Sequence, residues 1–310
     1  MDRRQGPARL LGLAALTLVA TAADAPQLPI REARWLKTSD LVADLTNQPA
    51  ECLALPKDEA PRRSVEIGRA LFRSPLMLGG QAARAGLSCS SCHRNGRSNP
   101  HFHFPGISGD PGTADVTASI MSSHRGDDIF NPKPIPDLGG DPAKLKISRD
   151  PAKDDLREFI HGLITQEFDG AEPSPAALSS IAEYVRALKP AGCPPSTSAP
   201  IGLGAELSEV DSAVALAQQA YRSGDSATGR DLLSAARSTL GAIDERFQLA
   251  GLESSRAELV SASETLFQLQ ETQSDRVWRQ WRHDWPQRKR RLLAAGPRSL
   301  FNPPVLRKLL

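Results

Sequence analysis

Apolar residues recur at helical spacing in several separate stretches of this 310-residue chain. After Ser64, which is expected to cap a helix, Val65, Leu71 and Phe72 define one apolar helix face. Similar patterns predict helices over residues 39–46, 156–163 and 176–188. The chain has 25 Pro and only two Tyr, which favours loops between helices over an extensive sheet. The predicted fold class is therefore mainly α.

The last third of the chain is predicted to be a separate helical region. Residues 191–203 are rich in Pro and Ser and are typical of a linker. Residues 204–295 then have small and apolar residues at helical spacing on both sides of Gly224 and Asp225. Because Gly224 can end one helix and Asp225 can begin the next, we predict a C-terminal helical hairpin or bundle domain. Residues 296–310 follow as a basic tail.

A third helix of this region is predicted over Glu253–Trp285, and Pro286 should end or kink it. Trp278, Trp281 and Trp285 lie at positions i, i+3 and i+7, so they share one helix face. These tryptophans either pack on the hairpin, with the surrounding charges facing solvent, or belong to a docking surface.

Charge is distributed unevenly along the chain. Without residues 1–22, which hold three Arg and one Asp, 35 basic and 35 acidic side chains remain. Ten of the basic side chains, against Asp284 alone, fall in 276–310, so that segment is +9 and residues 23–275 are −9. The basic face Trp278–Arg291 could therefore dock an acidic redox partner or an anionic membrane surface.

Residues 1–22 have the order of a secretory signal peptide. Arg3, Arg4 and Arg9 precede the short apolar run Leu10–Ala20, and a small-x-small cleavage site follows. A permanent membrane anchor needs about 20 apolar residues, so cleavage is favoured and an uncleaved anchor is the alternative. We expect a periplasmic protein, and nucleic acid is not expected as a partner of an exported chain. Residues 23–60 would form an N-terminal extension.

The run Cys89-Ser90-Ser91-Cys92-His93 is the sequence that attaches haem c covalently. Two thiols one helical turn apart can add across the two vinyl groups of haem. The adjacent histidine then lies beneath the iron as its proximal ligand. A zinc site would need a second Cys/His pair, and a redox CxxC would be expected after a strand. We therefore predict one haem c, held by Cys89, Cys92 and His93.

Cys52 and Cys193 are the two remaining cysteines, and they lie outside the two ends of the predicted haem segment. In an oxidising compartment an even remainder indicates a disulfide. Such a bridge would close a loop of about 140 residues and could stabilise the fold by about 4–5 kcal/mol. Unpaired thiols or an intermolecular link are the alternatives.

The sixth iron ligand is not fixed by the motif. Five side chains are candidates: His101, His103, Met121, His124 and His161. His101 and His103 follow the motif so closely that the chain would have to turn round the haem edge within eight to ten residues. Met121 and His124 lie 28 and 31 residues after His93, far enough to reach the opposite haem face. His161 and an open coordination position remain alternatives.

Two further residues are interpreted as neighbours of the haem. Pro105 lies twelve residues after His93, where its carbonyl could accept the proximal histidine N–H. Arg125 could pair with a haem propionate. The alternatives are a turn proline and a solvated arginine.

The sequence IGRALFRSPLMLGGQAARAGLSCSSCH, residues 67–93, resembles the run before a haem motif in di-haem cytochrome c peroxidases and MauG-like proteins. In that family a G-x-x-L-F helix and a Leu-Ser-Cys lead-in recur. The stretches 156–163 and 176–188 resemble the closing helices of a cytochrome c domain. The resemblance covers about 60–190 and implies one cytochrome c-like haem domain at 61–190. The family normally carries two haems, whereas this chain has a single CxxCH.

Together these features predict an exported mono-haem c-type cytochrome that transfers single electrons between periplasmic or membrane redox partners. One alternative is a peroxidase-related haem enzyme or accessory subunit with an open distal site. Another is a haem-based redox or ligand sensor that docks a partner through its helical domain. The sixth ligand decides among them, because a thioether raises the reduction potential and an open position admits peroxide or oxygen.

Overall fold

The computed structural model describes residues 28–117, 120–124 and 129–310, and in these ranges the protein is mainly α-helical, as predicted. The predicted signal peptide and Arg125 lie outside the described residues. Within those ranges, none of the helices has both the length and the apolar character needed to cross a bilayer.

The secondary structure of the described residues is dominated by helices, which are, in chain order, α1 Leu41–Thr46, α2 Glu59–Phe72, α3 Gly80–Ala85, α4 Cys89–Cys92, α5 Asp155–Gly162, α6 Pro175–Ala187, α7 Leu203–Arg222, α8 Ser226–Glu245, α9 Glu253–Thr272, α10 Asp275–Ala295 and α11 Pro303–Leu306. Short 3-10 helices are Arg31–Trp35, Pro75–Met77, Arg94–Gly96, Pro142–Lys144, Pro190–Gly192, Gly296–Arg298 and Arg307–Leu309. A π-helical turn, Leu163–Glu167, continues α5. The strands are β1 Asn47–Pro49, β2 Thr113–Ala114, β3 Lys133–Pro134 and β4 Ser198–Pro200, paired antiparallel as β1 with β4 and β2 with β3.

Helix α2 begins at Glu59, five residues before the predicted cap. Ser64 lies inside the helix, with its Oγ 3.2 Å from Ser180 Oγ, so the cap prediction was wrong. The first turn of α2 is polar and contains Pro61, which is tolerated there because the first N–H groups of a helix have no intrahelical partner. An apolar pattern could not mark that turn.

Helices α2 and α6 cross in close contact at Gly68. A Cβ at this position would lie 1.8 Å from the backbone oxygen of Ser180, so only glycine allows the observed approach. The crossing buries Leu71 and Phe72 of α2 against α6 residues such as Ile181. It therefore fixes the end of α2, and with it Phe72, close to the CxxCH motif.

Helices α7 and α8 are joined by three residues and pack against each other. Gly224 has a φ of +84°, a conformation that glycine adopts readily. The Asp225 side chain accepts a hydrogen bond from the backbone N–H of Thr228 at 3.1 Å and caps α8.

The predicted helix Glu253–Trp285 is instead two helices, α9 and α10, so its predicted extent was wrong. Gln273, with φ +51°, ends α9 in a left-handed conformation that the apolar pattern did not indicate. Pro286 lies inside α10, which continues to Ala295. The buried contacts of Trp281, Trp285 and Leu292 on both sides of Pro286 hold the helix together across it.

One buried hydrophobic cluster runs through both parts of the chain, here called the motif segment (residues 61–190) and the helical region (residues 204–295). It contains Leu71 and Ile181 from the motif segment together with residues such as Leu240 from the helical region. The stretch interpreted as a linker contributes β4, and the N–H of Ile201 bonds to the Thr46 oxygen at 2.8 Å. The two parts therefore share a core.

Candidate functional site

The CxxCH motif forms a single, capped helical turn. The backbone N–H of Ser88 donates to Ser91 Oγ at 3.0 Å, and the N–H of His93 donates to the Cys89 oxygen at 2.9 Å. Just before it, Gly86 ends α3 with φ +77°. This local geometry brings Cys89, Cys92 and His93 to adjacent positions, as covalent attachment of one planar group would require.

His93 is held by a backbone carbonyl that the sequence did not indicate. Its Nδ1 lies 3.1 Å from the Pro136 oxygen, and because a carbonyl only accepts, Nδ1 carries the proton. Nε2 is then the ring nitrogen suited to bind iron. The acceptor is therefore Pro136 and not Pro105, which is exposed. Pro136 lies 43 residues after His93, so sequence spacing gave no signal for this contact.

Burial sets the protonation states of the motif. It lowers the pKa of His93 to about 4, although the hydrogen bond to Pro136 acts in the opposite direction. Burial also raises the pKa of both thiols, Cys89 and Cys92, to about 12. All three side chains nevertheless keep some accessible surface. At neutral pH the motif thus presents a neutral imidazole and two protonated thiols.

A hydrophobic cluster surrounds the two thiols. Its buried members include Met121, Phe102 and Trp35, and Cys89 and Cys92 pack against it. Zinc sites and redox-active CxxC pairs depend on thiolates with a lowered pKa, which an apolar cluster of this kind opposes. An apolar, aromatic cluster beside a neutral histidine fits a haem with thioether attachments. The residues present therefore fit the group that the motif implies.

The structure places the five candidate sixth ligands in different surroundings. Met121 is only 2 % exposed and belongs to the cluster that contacts both cysteines. The His124 side chain is 65 % exposed, with Nε2 3.7 Å from an oxygen of Asp169. Two of the remaining histidines lie beside carboxylates: Nε2 of His161 is 2.9 Å from Glu172, and Nε2 of His101 is 3.7 Å from Asp44. The backbone N–H of His103 donates to the Trp35 oxygen at 2.8 Å.

The predicted disulfide between Cys52 and Cys193 is present. It lies close to the motif, because Arg97, four residues after His93, donates to Cys52 Sγ at 3.1 Å. The N–H of Lys189 also donates to the Cys52 oxygen at 2.9 Å, which ties the end of the motif segment to the bridge.

Behind His93, an aromatic contact leads to a network of ion pairs that the sequence did not indicate. Phe72 lies 6.4 Å from the His93 ring and 5.1 Å from the ring of Tyr184, centroid to centroid. The Tyr184 hydroxyl donates to Glu51 at 2.6 Å. Arg69 then bonds both Glu51 and Glu209 of α7 at 2.7–3.0 Å, so the network joins the motif segment to the helical region.

A cavity of about 230 Å³ lies between the motif turn and the helical region. Its lining includes Ser90, Ser91, Arg73, Glu206 and Arg246, and it includes none of the three predicted haem-binding side chains. Burial raises the pKa of Glu206. The cavity therefore reaches the motif turn and Trp35 of the cluster without including the three side chains themselves.

The three tryptophans of α10 are buried. The Trp285 indole N–H donates to Asp211 of α7 at 2.6 Å, and Trp285 stacks on Trp281 at 4.8 Å. Several neighbouring basic side chains have acidic partners: Arg288 and Arg291 pair with Glu258, and Lys289 pairs with Asp211. Arg276, Arg279, Arg282 and Arg290 are exposed, so the accessible part of this face is charged and not aromatic.

No protein-family model matches this chain, and searches of curated proteins and of solved structures found no significant match.

Proposed function

We propose that the chain is an exported mono-haem c-type cytochrome that carries single electrons between periplasmic or membrane partners. In this proposal the haem is attached through Cys89 and Cys92, with His93 as the proximal ligand. The motif segment is then a cytochrome c-like haem domain, and the helical region is a C-terminal bundle domain packed on it. When bound, haem c supplies one iron that changes between the ferric and ferrous states.

The observation that carries this proposal is the environment of the CxxCH turn. Two protonated thiols and a neutral imidazole share one helical turn beside an apolar, aromatic cluster. The thiols supply attachment, the imidazole supplies a ligand whose proton is directed to Pro136, and the cluster excludes water from one side of the ring. Exclusion of water favours the ferrous state, which carries less charge.

Met121 is the sixth ligand in this proposal. It is buried in the cluster that contacts both cysteines, whereas His124 is exposed beside Asp169. A thioether ligand raises the reduction potential and occupies the position that peroxide or oxygen would need. Met121 therefore supports a carrier over a peroxidase-related enzyme or a gas sensor.

Absorption spectra of protein produced in a host that attaches haem c test the proposal. We expect covalently bound haem in the wild type, loss of covalent haem in Cys89→Ala/Cys92→Ala, and a methionine–iron band near the red edge of the visible range. The band should disappear in Met121→Ala and persist in His124→Ala. A high-spin spectrum that changes on addition of peroxide would support the enzyme instead, and absence of covalent haem would refute both.

The accessible arginines of α10 are proposed to steer an acidic redox partner. With Trp278, Trp281 and Trp285 buried, this face offers charge without aromatic groups to insert into a bilayer, which favours a protein partner over a membrane. The rate of electron transfer to an acidic partner should fall as salt is added. That salt dependence should weaken in Arg276→Gln/Arg279→Gln/Arg290→Gln but not in the control Arg62→Gln/Arg63→Gln on α2. An unchanged salt dependence in the triple variant would contradict the assignment.

A further inference from the structure

The carbonyl that accepts the His93 proton belongs to a loop anchored by one ion pair. Asp137 directly follows Pro136, and Arg97 directly follows the 3-10 turn after His93. Arg97 Nε lies 2.7 and 2.9 Å from the two carboxylate oxygens of Asp137, and a terminal guanidinium nitrogen of Arg97 lies 2.7 Å from one of them. A two-point contact of this kind fixes direction as well as distance.

The same loop also packs against Arg97 through Gly139. The N–H of Gly139 contacts both the Gly96 oxygen at 3.0 Å and the Asp137 carboxylate at 2.9 Å. A Cβ on Gly139 would lie 2.8 Å from Arg97 Cδ and 3.0 Å from Cys52 Cβ. The loop, Arg97 and the disulfide are therefore packed as one unit on the proximal side of His93.

We propose that Arg97 is a positioning residue that sets the reduction potential of the haem through Asp137, Pro136 and His93. The proposal rests on the proposed function, since it concerns the iron that His93 would bind. Arg97 holds Asp137, Asp137 fixes the position of the Pro136 carbonyl, and that carbonyl accepts the Nδ1 proton of His93.

The direction of the effect follows from ligand chemistry. A well-aligned acceptor at Nδ1 makes the imidazole a stronger donor to iron, and a stronger donor stabilises the ferric state. Loss of the alignment weakens the donor and should raise the reduction potential. Simple electrostatics predicts the opposite for Arg97, because removal of a nearby positive charge stabilises ferric iron and lowers the potential.

Arg97→Gln therefore separates positioning from charge. We expect its reduction potential to rise and, with Met121→Ala added to leave the ferrous iron five-coordinate, its iron–histidine stretching frequency to fall. Arg97→Lys, which keeps the charge but not the two-point contact, should lie between Arg97→Gln and the wild type. The control Arg157→Gln, which removes an exposed arginine from α5, should keep the wild-type potential.

Gly139→Ala tests the same unit without any change of charge. Its Cβ must displace the loop from Arg97 and Cys52, so we again expect a higher potential and, with Met121→Ala added, a lower stretching frequency. The control Gly241→Ala, whose Cβ has no neighbour within 4 Å, should match the wild type.

The outcomes distinguish this inference from the proposed function. If the wild type contains no covalent haem, the proposed function fails. If covalent haem is present and the potential of Arg97→Gln falls or stays unchanged, only the positioning role fails. A wild-type potential in Gly139→Ala would likewise overturn the positioning role.

Discussion

The helical region and the motif segment are ordered by different kinds of interaction. Four helices of 20 or 21 residues make up nearly all of the helical region, and their apolar faces fill a common core. In the motif segment, α2, α5 and α6 have 14, 8 and 13 residues, and long loops connect them. Those loops are held at separate points, by the disulfide and the Arg97–Asp137 pair, while the crossing at Gly68 joins α2 to α6.

This difference matters for the site, because the CxxCH turn lies among the loops. A loop can surround a large planar group because its backbone is not committed to packing in a regular helix. These anchors provide order without using side chains of the apolar cluster around the thiols. The helical region then stabilises the motif segment from outside, through the shared core and the Arg69–Glu209 ion pair.

Removal of the disulfide should have the largest effect on stability. The bridge joins residues 141 apart in sequence, and Cys52→Ala/Cys193→Ala should lower the free energy of unfolding by about 4–5 kcal/mol. Urea unfolding, followed by haem absorbance for the motif segment and by tryptophan fluorescence for the helical region, measures the effect. If only the haem signal shifts, the two parts unfold separately and the shared core does not couple them.

Truncation of a core side chain in the helical region should have the next largest effect. Leu232 of α8 is fully buried, so Leu232→Ala should cost about 3 kcal/mol from lost burial and a residual cavity. Because the core is shared, both probes should shift together. The matched control Leu293→Ala, at a position of α10 that is 42 % exposed, should change stability by much less, about 0.5 kcal/mol.

The contrast between the two parts also decides what could be predicted from the sequence. Helical periodicity identified α7 and α8 with their connection at Gly224 and Asp225, because long apolar faces repeat a local rule. It failed at Gln273, where a polar residue ends α9, and at Ser64, because the first turn of α2 is polar. Both wrong helix boundaries lie where the sequence has few apolar residues, so periodicity gives no signal there.

At the site, the sequence predicted the features that depend on residue type and spacing, but not the contacts between distant segments. The CxxCH spacing and the pairing of Cys52 with Cys193 depend on residue type and could be stated in advance. Pro136, Arg97 and Asp137 act through a contact between segments about 40 residues apart, and no period or motif records it. Because the motif segment is rich in loops, spacing after His93 predicts Pro105 as the acceptor, whereas the chain brings Pro136 to this position.

Alanine at the α2–α6 crossing should have an intermediate effect that reaches the site. Gly68→Ala must separate α2 from the Ser180 backbone, and overpacking of this kind costs about 2 kcal/mol. It should also disturb Phe72 beside His93 and so change the absorption spectrum of the proposed haem. Gly241→Ala serves as the control, because an alanine in an open helix position should stabilise by about 0.5–1 kcal/mol. An unchanged stability in Gly68→Ala would mean that the crossing adjusts freely.

The smallest expected effect comes from a charge within the helical region. Burial raises the pKa of Asp231 in α8 to about 6, and Asp225 adds to the shift. Since the folded state holds this proton more tightly than the unfolded state, the contribution of Asp231 to stability is full below about pH 4 and is lost as the pH rises through 6. Asp231→Asn should therefore stabilise the protein by about 1 kcal/mol at pH 7 and have little effect at pH 4.

Urea unfolding at the two pH values measures this difference, with Glu264→Gln on the exposed surface of α9 as a charge-matched control. Equal effects of Asp231→Asn at pH 4 and pH 7 would show that the carboxylate is not destabilised by burial. The expected result would mean that the helical region tolerates an unfavourable, partly buried charge. In the motif segment, by contrast, Arg97 is paired with Asp137.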